Sequence, residues 1–542
     1  STPAKRTLSA ASVIGARFDK ELLIALGGEG AIDELLSAEL IDQVGFIPHP
    51  EYAFCHPLIR AVAYESQLKS DRAQWHRLVA AAIEAGDEAA ADENAALIAE
   101  HVEAAGDLHT AYMWHVRAAT WATHRDIAAA QRGWERARRI ADAVPDDDPD
   151  RTAMRIAPRT MLCGIAWRVQ VSVAGDRFEE LRELCAAAGD QASLATGMAG
   201  LVFDHALRGR IREASRLAAE AWALIESIGD PTLTVGLSFP VIYAEGQAGE
   251  WSGALRCSQR AIDMADDDPS KGNFIVGSPL ALALTSRAIA GYFLGRPGWP
   301  DDLRHGLAMA RSADPLSYAT AITYVYFPGI AFGVLAADDP AMREIEDAVR
   351  IAERSADDLA LVLARATLGI ALVHRSTGAE RSSGQKLLAE TSEAFLSRGQ
   401  FLSELPFVNA SLAHERARRG DRDEAISVML AAVDHRVHEG QLLAWGYAIP
   451  ATGVLVETLL ECGTDADVAA AEATIEQLAT APADHELAIR DIWLLRLRAL
   501  LARARGDDVA YRELVSCYRA MAKSLGFQGH IAWAAAMIAG ED

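Results

Sequence analysis

From Glu93 to the C-terminus, apolar and small residues recur with helical spacing, and that spacing itself repeats. With a turn residue set at t, small residues stand at t+5 and t+12 in Gly106/Ala111/Ala118, Gly209/Ala214/Ala221, Gly249/Ala254/Ala261 and Gly420/Ala425/Ala432. Gly298/Leu303/Ala310 follows with one larger residue. An Ala-rich chain makes such matches cheap, so the helix before each turn is the independent check. At t−8 stand Leu201, Val241, Ala290, Ile330, Ile370, Leu412 and Leu455, all apolar. At t−7 stand Val202, Ile242, Gly291, Ala331, Ala371, Ala413, Val456 and Ala499, apolar and mostly small. The turns Gly209, Gly249, Gly298, Asp338, Gly378, Gly420, Gly463 and Gly506 lie at intervals of 40, 49, 40, 40, 42, 43 and 43 residues. Two helices of roughly 12–18 residues and two turns fill such an interval, and the small residues let paired helices approach closely. The pattern predicts an all-α chain whose residues 161–542 form a right-handed α-solenoid, preceded at 86–160 by a helical adaptor with a first repeat.

Residues 8–56 are patterned differently. Three short amphipathic stretches (8–14, 20–26 and 31–44) precede Phe46-Ile47-Pro48-His49-Pro50-Glu51-Tyr52-Ala53-Phe54, where two prolines bracket a tight polar centre between apolar arms. That predicts a small β-hairpin, and three helices plus a hairpin predict a winged-helix-like domain. A long helix over 57–85 completes a first domain at 1–85, with Pro57 suited to the first helical position and a face of Leu58, Val62, Leu68, Trp75, Leu78, Val79 and Ile83. A DNA-reading wing needs cations on its third helix; residues 30–46 carry Asp33, Glu34, Glu39 and Asp42 and no Lys or Arg. No direct DNA binding is expected.

Composition agrees. A formal charge of −24 over 542 residues argues against a nucleic-acid or anionic-membrane surface covering the whole chain. Cys55, Cys163, Cys185, Cys257, Cys462 and Cys517 include no CxxC spacing, which fits free thiols in a reducing cytosol. The N-terminus lacks a signal-peptide core, and the longest apolar run, 319–337, is broken by Thr323, Pro328 and two glycines. A cytoplasmic protein without membrane contact is expected.

The solenoid register resembles the tetratricopeptide repeat: aliphatic then small in the first helix, Gly at the turn, small residues twice in the second. These repeats exceed the usual length of about 34 residues and look closer to the lengthened repeats in sensor arms of bacterial signal-transduction ATPases. The front of the chain sharpens the likeness. Ala11-Ser12-Val13-Ile14-Gly15-Ala16-Arg17-Phe18, the helix at 35–40, and Phe54-Cys55-His56-Pro57-Leu58-Ile59-Arg60 running on to Ser66 resemble one particular join. It is the junction between a winged-helix ATPase end and a helical arm in large, notably actinobacterial, AAA/STAND regulators. Those regulators also carry a class III adenylyl cyclase domain or a LuxR-type DNA-binding domain, and residues 295–315 look like the cyclase-linked group. The resemblance implies a non-catalytic sensor or scaffold arm. It would bind a protein, peptide or small-molecule effector and control cyclic-nucleotide synthesis or transcription through an ATPase module in cis. It also implies that His56, with Arg60 one turn on, touches the phosphate of a nucleotide held by that module; helix capping is the alternative for His56.

None of the six lysines follows a Gly, so the Gly-Lys-Ser/Thr phosphate loop is missing. No catalytic residue and no cofactor are expected in the chain itself, ATP or ADP entering only with an ATPase module, and the chain reads as a fragment or a natural remnant. Metal binding is not expected: His435 and His438, beside Glu439, have no third strong ligand nearby, and His49, Cys55 and His56 match no zinc spacing. The t−6 line holds Phe203, Tyr243, Tyr292 and Phe332, then Leu372, His414 and Glu457. In a tetratricopeptide-like helix it faces the concave side, where Trp445 and Tyr447 would close the far end of a ligand groove. Burial of these rings between repeats is the equal alternative. Two rival functions also stay open, a constitutive protein–protein assembly scaffold and an enzyme with a site in the solenoid cavity.

Overall fold

The computed structural model describes residues 1–27, 29–46, 50–85, 88–123, 125–169, 176–273, 277–313, 315–355, 358–375, 377–438, 447–481 and 487–540. The chain divides into two compact units, Ser1–Leu162 with Glu183–Ala188, and Cys163–Arg182 with Gly189–Asp542.

The first unit opens with α1 (Thr2–Ile14), β1 (Arg17–Asp19), α2 (Lys20–Ala25) and α3 (Ile32–Ser37), followed by β2 (Ile41–Gly45) and β3 (Glu51–Phe54). The strands pair antiparallel in the order β1-β3-β2. The third amphipathic stretch is thus shorter than its periodicity suggested. Glu39 takes a positive φ of 53°, which ends the helix, and Ile41 then goes into the core as the first residue of a strand with alternating burial. Val13, Phe18, Leu23, Leu35, Ile41 and Tyr52 fill this core.

The single long helix expected over 57–85 is two, α4 (Pro57–Glu65) and α5 (Lys69–Glu84). The break is held by Gln67, whose Nε2 donates to Ser12 Oγ at 3.0 Å and to the Ala63 carbonyl at 2.9 Å. Much of the expected apolar face is not seated: Leu58, Val62 and Leu68 are 64%, 60% and 69% exposed. Then follow α6 (Glu88–Glu93), α7 (Ala95–Ala104), α8 (Leu108–Ala122), α9 (Ile127–Ala143) and α10 (Arg151–Gly164), with Ile98, Val102, Tyr112, Trp114 and Ile140 in their shared core. Helix α11 is Asp176–Ala188.

The second unit is a row of helix pairs. They are α12 (Gln191–Leu207) with α13 (Ile211–Ile228), α14 (Pro231–Ala248) with α15 (Trp251–Ala265), and α16 (Pro279–Phe293) with α17 (Trp299–Ala313). Next come α18 (Pro315–Ala331) with α19 (Asp339–Arg354), α20 (Asp358–Val373) with α21 (Gly378–Arg398), and α22 (Leu405–Arg418) with α23 (Arg422–His438). The row ends with α24 (Ala448–Cys462) and α25 (Asp465–Thr480), α26 (Ala488–Ala504) and α27 (Asp508–Leu525), and a final α28 (Gln528–Ala539). Gly106, Gly209, Gly249, Gly298, Gly420, Gly463 and Gly506 all have positive φ, as a one-residue reversal between helices requires. Two turn positions are offset. Asp338 is the N-cap of α19, accepting from the Ala341 N–H at 2.9 Å, and Gly378 is already inside α21.

The small positions do what their size permits. Ala214, Ala254, Ala371 and Ala425 are all at or below 1% exposed where helices cross. The result is a tetratricopeptide-like α-solenoid. Ala425→Leu adds three carbons to a filled crossing between α22 and α23, and is expected to cost about 1–3 kcal/mol in urea unfolding; an unchanged midpoint would mean that this crossing has been misassigned. Among the described residues, no helix is long and apolar enough to cross a membrane.

Candidate functional site

The aromatic line at t−6 does not form an open groove. Phe203, Tyr243, Tyr292 and Phe332 are 5%, 5%, 2% and 0% exposed, and Tyr447 is 4% exposed. Later helices of the second unit cover them. The Phe332 carbonyl accepts from Trp493 Nε1 at 3.2 Å and from His530 Nε2 at 2.9 Å, while Tyr447 packs on Phe332 with ring centroids 5.4 Å apart. Trp299 Nε1, beside Tyr292, donates to the Leu525 carbonyl at 3.2 Å. Glu404, from the start of α22, takes the Tyr243 hydroxyl at 3.1 Å and Gln247 Nε2 at 3.0 Å. Burial pushes the Glu404 carboxyl pKa up.

His414 is half-buried, its Nδ1 3.0 Å from Thr458 Oγ1, and burial pushes its pKa down. Glu457, next on the t−6 line, is paired with Arg496. Trp445, His49, Glu439 and the side chains of His435 and His438 lie outside the described residues.

His56 is the N-cap of α4, its Nδ1 accepting from the Leu58 N–H at 3.1 Å. That bond makes Nδ1 the acceptor, so in the neutral ring the proton sits on Nε2, and the side chain is exposed. Arg60 turns inward instead, Nε donating to the Ser12 carbonyl at 3.0 Å and tying α4 to α1.

One open concave feature of the first unit is a cleft of about 960 Å³ between α7, with the end of α6, and α9, with α8 as its floor. In most of the second unit consecutive first helices pack on one another, α12 on α14, α18 on α20 and α22 on α24. Helices α7 and α9 share no comparable packing and are bridged by side chains. Glu103 on α7 accepts from Arg136 Nε on α9 at 2.8 Å and from His115 Nε2 on α8 at 3.0 Å. Burial raises the Glu103 pKa, but Arg136 and His115 outweigh it and hold the carboxyl below its usual value. Burial likewise pushes His115 down, more strongly than Glu103 pulls it up.

Ala96, Ala104, Ala118, Ala122, Ala129 and Gly133 give the cleft a lining of small residues. A Cβ at Gly133 would stand 2.9 Å from that of Ala119, so the glycine is what lets α9 lie this close on α8. The two walls differ in charge. Arg132 and Arg139 on α9 are exposed and enter no ion pair or hydrogen bond among the described residues; the same holds for Glu93 and Glu100 on the facing side. Apart from Ala118, which falls on the repeat register, none of these cleft residues stood out in the sequence. The available signal was like charges seven residues apart, Arg132/Arg139 on one face of α9 and Glu93/Glu100 at the end of α6 and within α7.

No protein-family model matches the chain, and none of the curated proteins matches it in sequence. Among solved structures it is similar to a signal transduction ATPase with numerous domains that carries a tetratricopeptide repeat sensor, from Pyrococcus horikoshii. The identity there is 12% and the TM-score 0.42, over 88% of this chain and 63% of that one. A Rap protein complexed with competence and sporulation factor is similar at 11% identity and TM-score 0.33, over 77% and 99% of the two chains. Yeast Tom70 is similar at 12% identity and TM-score 0.27, over 89% and 92%.

Proposed function

We propose that this chain is the non-catalytic sensor and scaffold arm of an ATPase-linked regulator, and that it binds a protein effector in the α7–α9 cleft. The observation that supports this reading is the cleft itself: two walls splayed where most neighbouring repeats of the second unit close, a small-residue lining, and charges in no ion pair on both sides. An effector that fits one spacing of α7 and α9 better than another shifts the arm toward that spacing, which is how occupancy is relayed. His56 belongs to the same proposal. Its exposed Nε2–H is a donor suited to a nucleotide phosphate supplied by an ATPase module in cis, whose output is cyclic-nucleotide synthesis or transcription.

Ala96 is exposed on the cleft wall, so Ala96→Trp fills the cleft without entering the core. A partner co-purifying with the full chain from its native cell extract is expected to be lost from Ala96→Trp at an unchanged melting temperature. Retention of no partner by the wild type, or equal retention by both proteins, would refute the reading.

A further inference from the structure

We propose that the α7–α9 cleft receives a single amphipathic helix with an acidic edge facing α9 and a basic edge facing α7. The inference rests on the protein-binding reading above and names the chemistry of the occupant.

Charge and spacing carry it. Glu93 and Glu100 are seven residues apart on one side, and Arg132 and Arg139 are seven apart on the other. On α9 seven residues are two helical turns, about 10 Å along the axis, whereas Glu93 is the last residue of α6 and Glu100 lies in α7, which follows after Asn94. The other charges of the cleft are already used: Asp92 pairs with Arg117 at 2.6 Å, Glu135 on α9 with Arg138 at 3.0 Å, and Glu103 is shared by Arg136 and His115. Four groups in no ion pair among the described residues remain, two of each sign on opposite walls, Glu100 also lying within electrostatic reach of Arg136 and His115. A helix lying between them meets both pairs when it carries Asp or Glu at i and i+7 along one edge and Lys or Arg at i and i+7 along the other. This is the edge pairing that flanks a heptad seam. The cleft lining suits such a guest, because Ala and Gly let its backbone come close. A purely anionic or purely cationic partner satisfies one wall and is repelled by the other.

Three Ala-based helical peptides of about three heptads test this on the full chain: one with a Glu edge and a Lys edge, one with Glu on both, one with Lys on both. The mixed peptide is expected to bind about ten-fold or more tighter than either single-sign peptide, with the margin shrinking as salt is raised. In the double variant Arg132→Glu/Arg139→Glu both walls are acidic, so the all-Lys peptide should become the tightest. A ranking that ignores edge charge, a ranking unchanged in the double variant, or no binding up to about 1 mM would overturn the proposal. If that happens while Ala96→Trp still loses the cellular partner, the cleft keeps its binding role and only the helix chemistry fails. If the partner is retained as well, both readings fall together.

Discussion

Replacing Tyr292 by Ala is expected to lower the unfolding free energy by about 3–5 kcal/mol, the usual cost of truncating a large core aromatic. The ring is 2% exposed and lies among Phe293, Trp299 and Phe527, with centroids 5.2, 5.8 and 6.3 Å away. Phe527 comes from the far end of the second unit, so the cavity would open between segments that cannot collapse independently. A groove-lining tyrosine would leave the urea midpoint nearly unchanged, and that result would contradict burial. A gentler pair of substitutions gives the same test a sign. The Tyr292 hydroxyl is buried and finds no hydrogen-bond partner among the described residues, whereas that of Tyr243 donates to Glu404. Tyr292→Phe removes an unsatisfied group and should leave stability unchanged or raise it. Tyr243→Phe strips a donor from a buried carboxylate and should cost about 1–3 kcal/mol.

Glu245→Gln is expected to stabilise the protein at pH 8 by about 3 kcal/mol and to do nothing near pH 4. Glu245 lies near the end of α14 against α15, where a Cβ at Gly253 would come within 2.5 Å of its Oε2, and that oxygen has no hydrogen-bond partner among the described residues. Burial first, and the charge of Glu250 second, push its carboxyl from 4.5 up to about 7. A carboxyl whose folded value is raised favours the folded chain while protonated. Its contribution is therefore complete below about 4.5 and is lost as pH rises toward about 7. Other titrating groups cancel when wild type and variant are compared at each pH in urea. A difference that stays constant from pH 4 to pH 8 would show that Glu245 ionises normally.

The repeating register, and with it the solenoid, was legible because it is local. A glycine that must adopt positive φ, a small residue seven positions before it and small residues five and twelve after it are constraints within one helix pair. They survive whatever the rest of the chain does. Capping was equally local, as in Thr464, whose side chain and that of Asp467 close a capping box at the start of α25. Of the expected hairpin at 46–54 the second arm was visible as β3, but β2 lies earlier, inside the stretch read as amphipathic helix, and β1 was not visible because three residues are too few to show an alternation.

What a helix face meets was not legible. Periodicity placed Phe203, Tyr243, Tyr292 and Phe332 on one line but was silent on what lay opposite. That was decided by contacts spanning well over a hundred residues: Glu404 reaching Tyr243, Trp493 and His530 reaching the Phe332 carbonyl. The same limit hid the cleft, whose walls are ordinary charged helix surfaces until the tertiary structure shows that α7 and α9 do not close on one another. Thus the sequence by itself determined the repeat, its turns and which residues share a face. The tertiary structure alone decided which faces are covered, because curvature accumulates from many small inter-helix rotations and no single repeat encodes their sum.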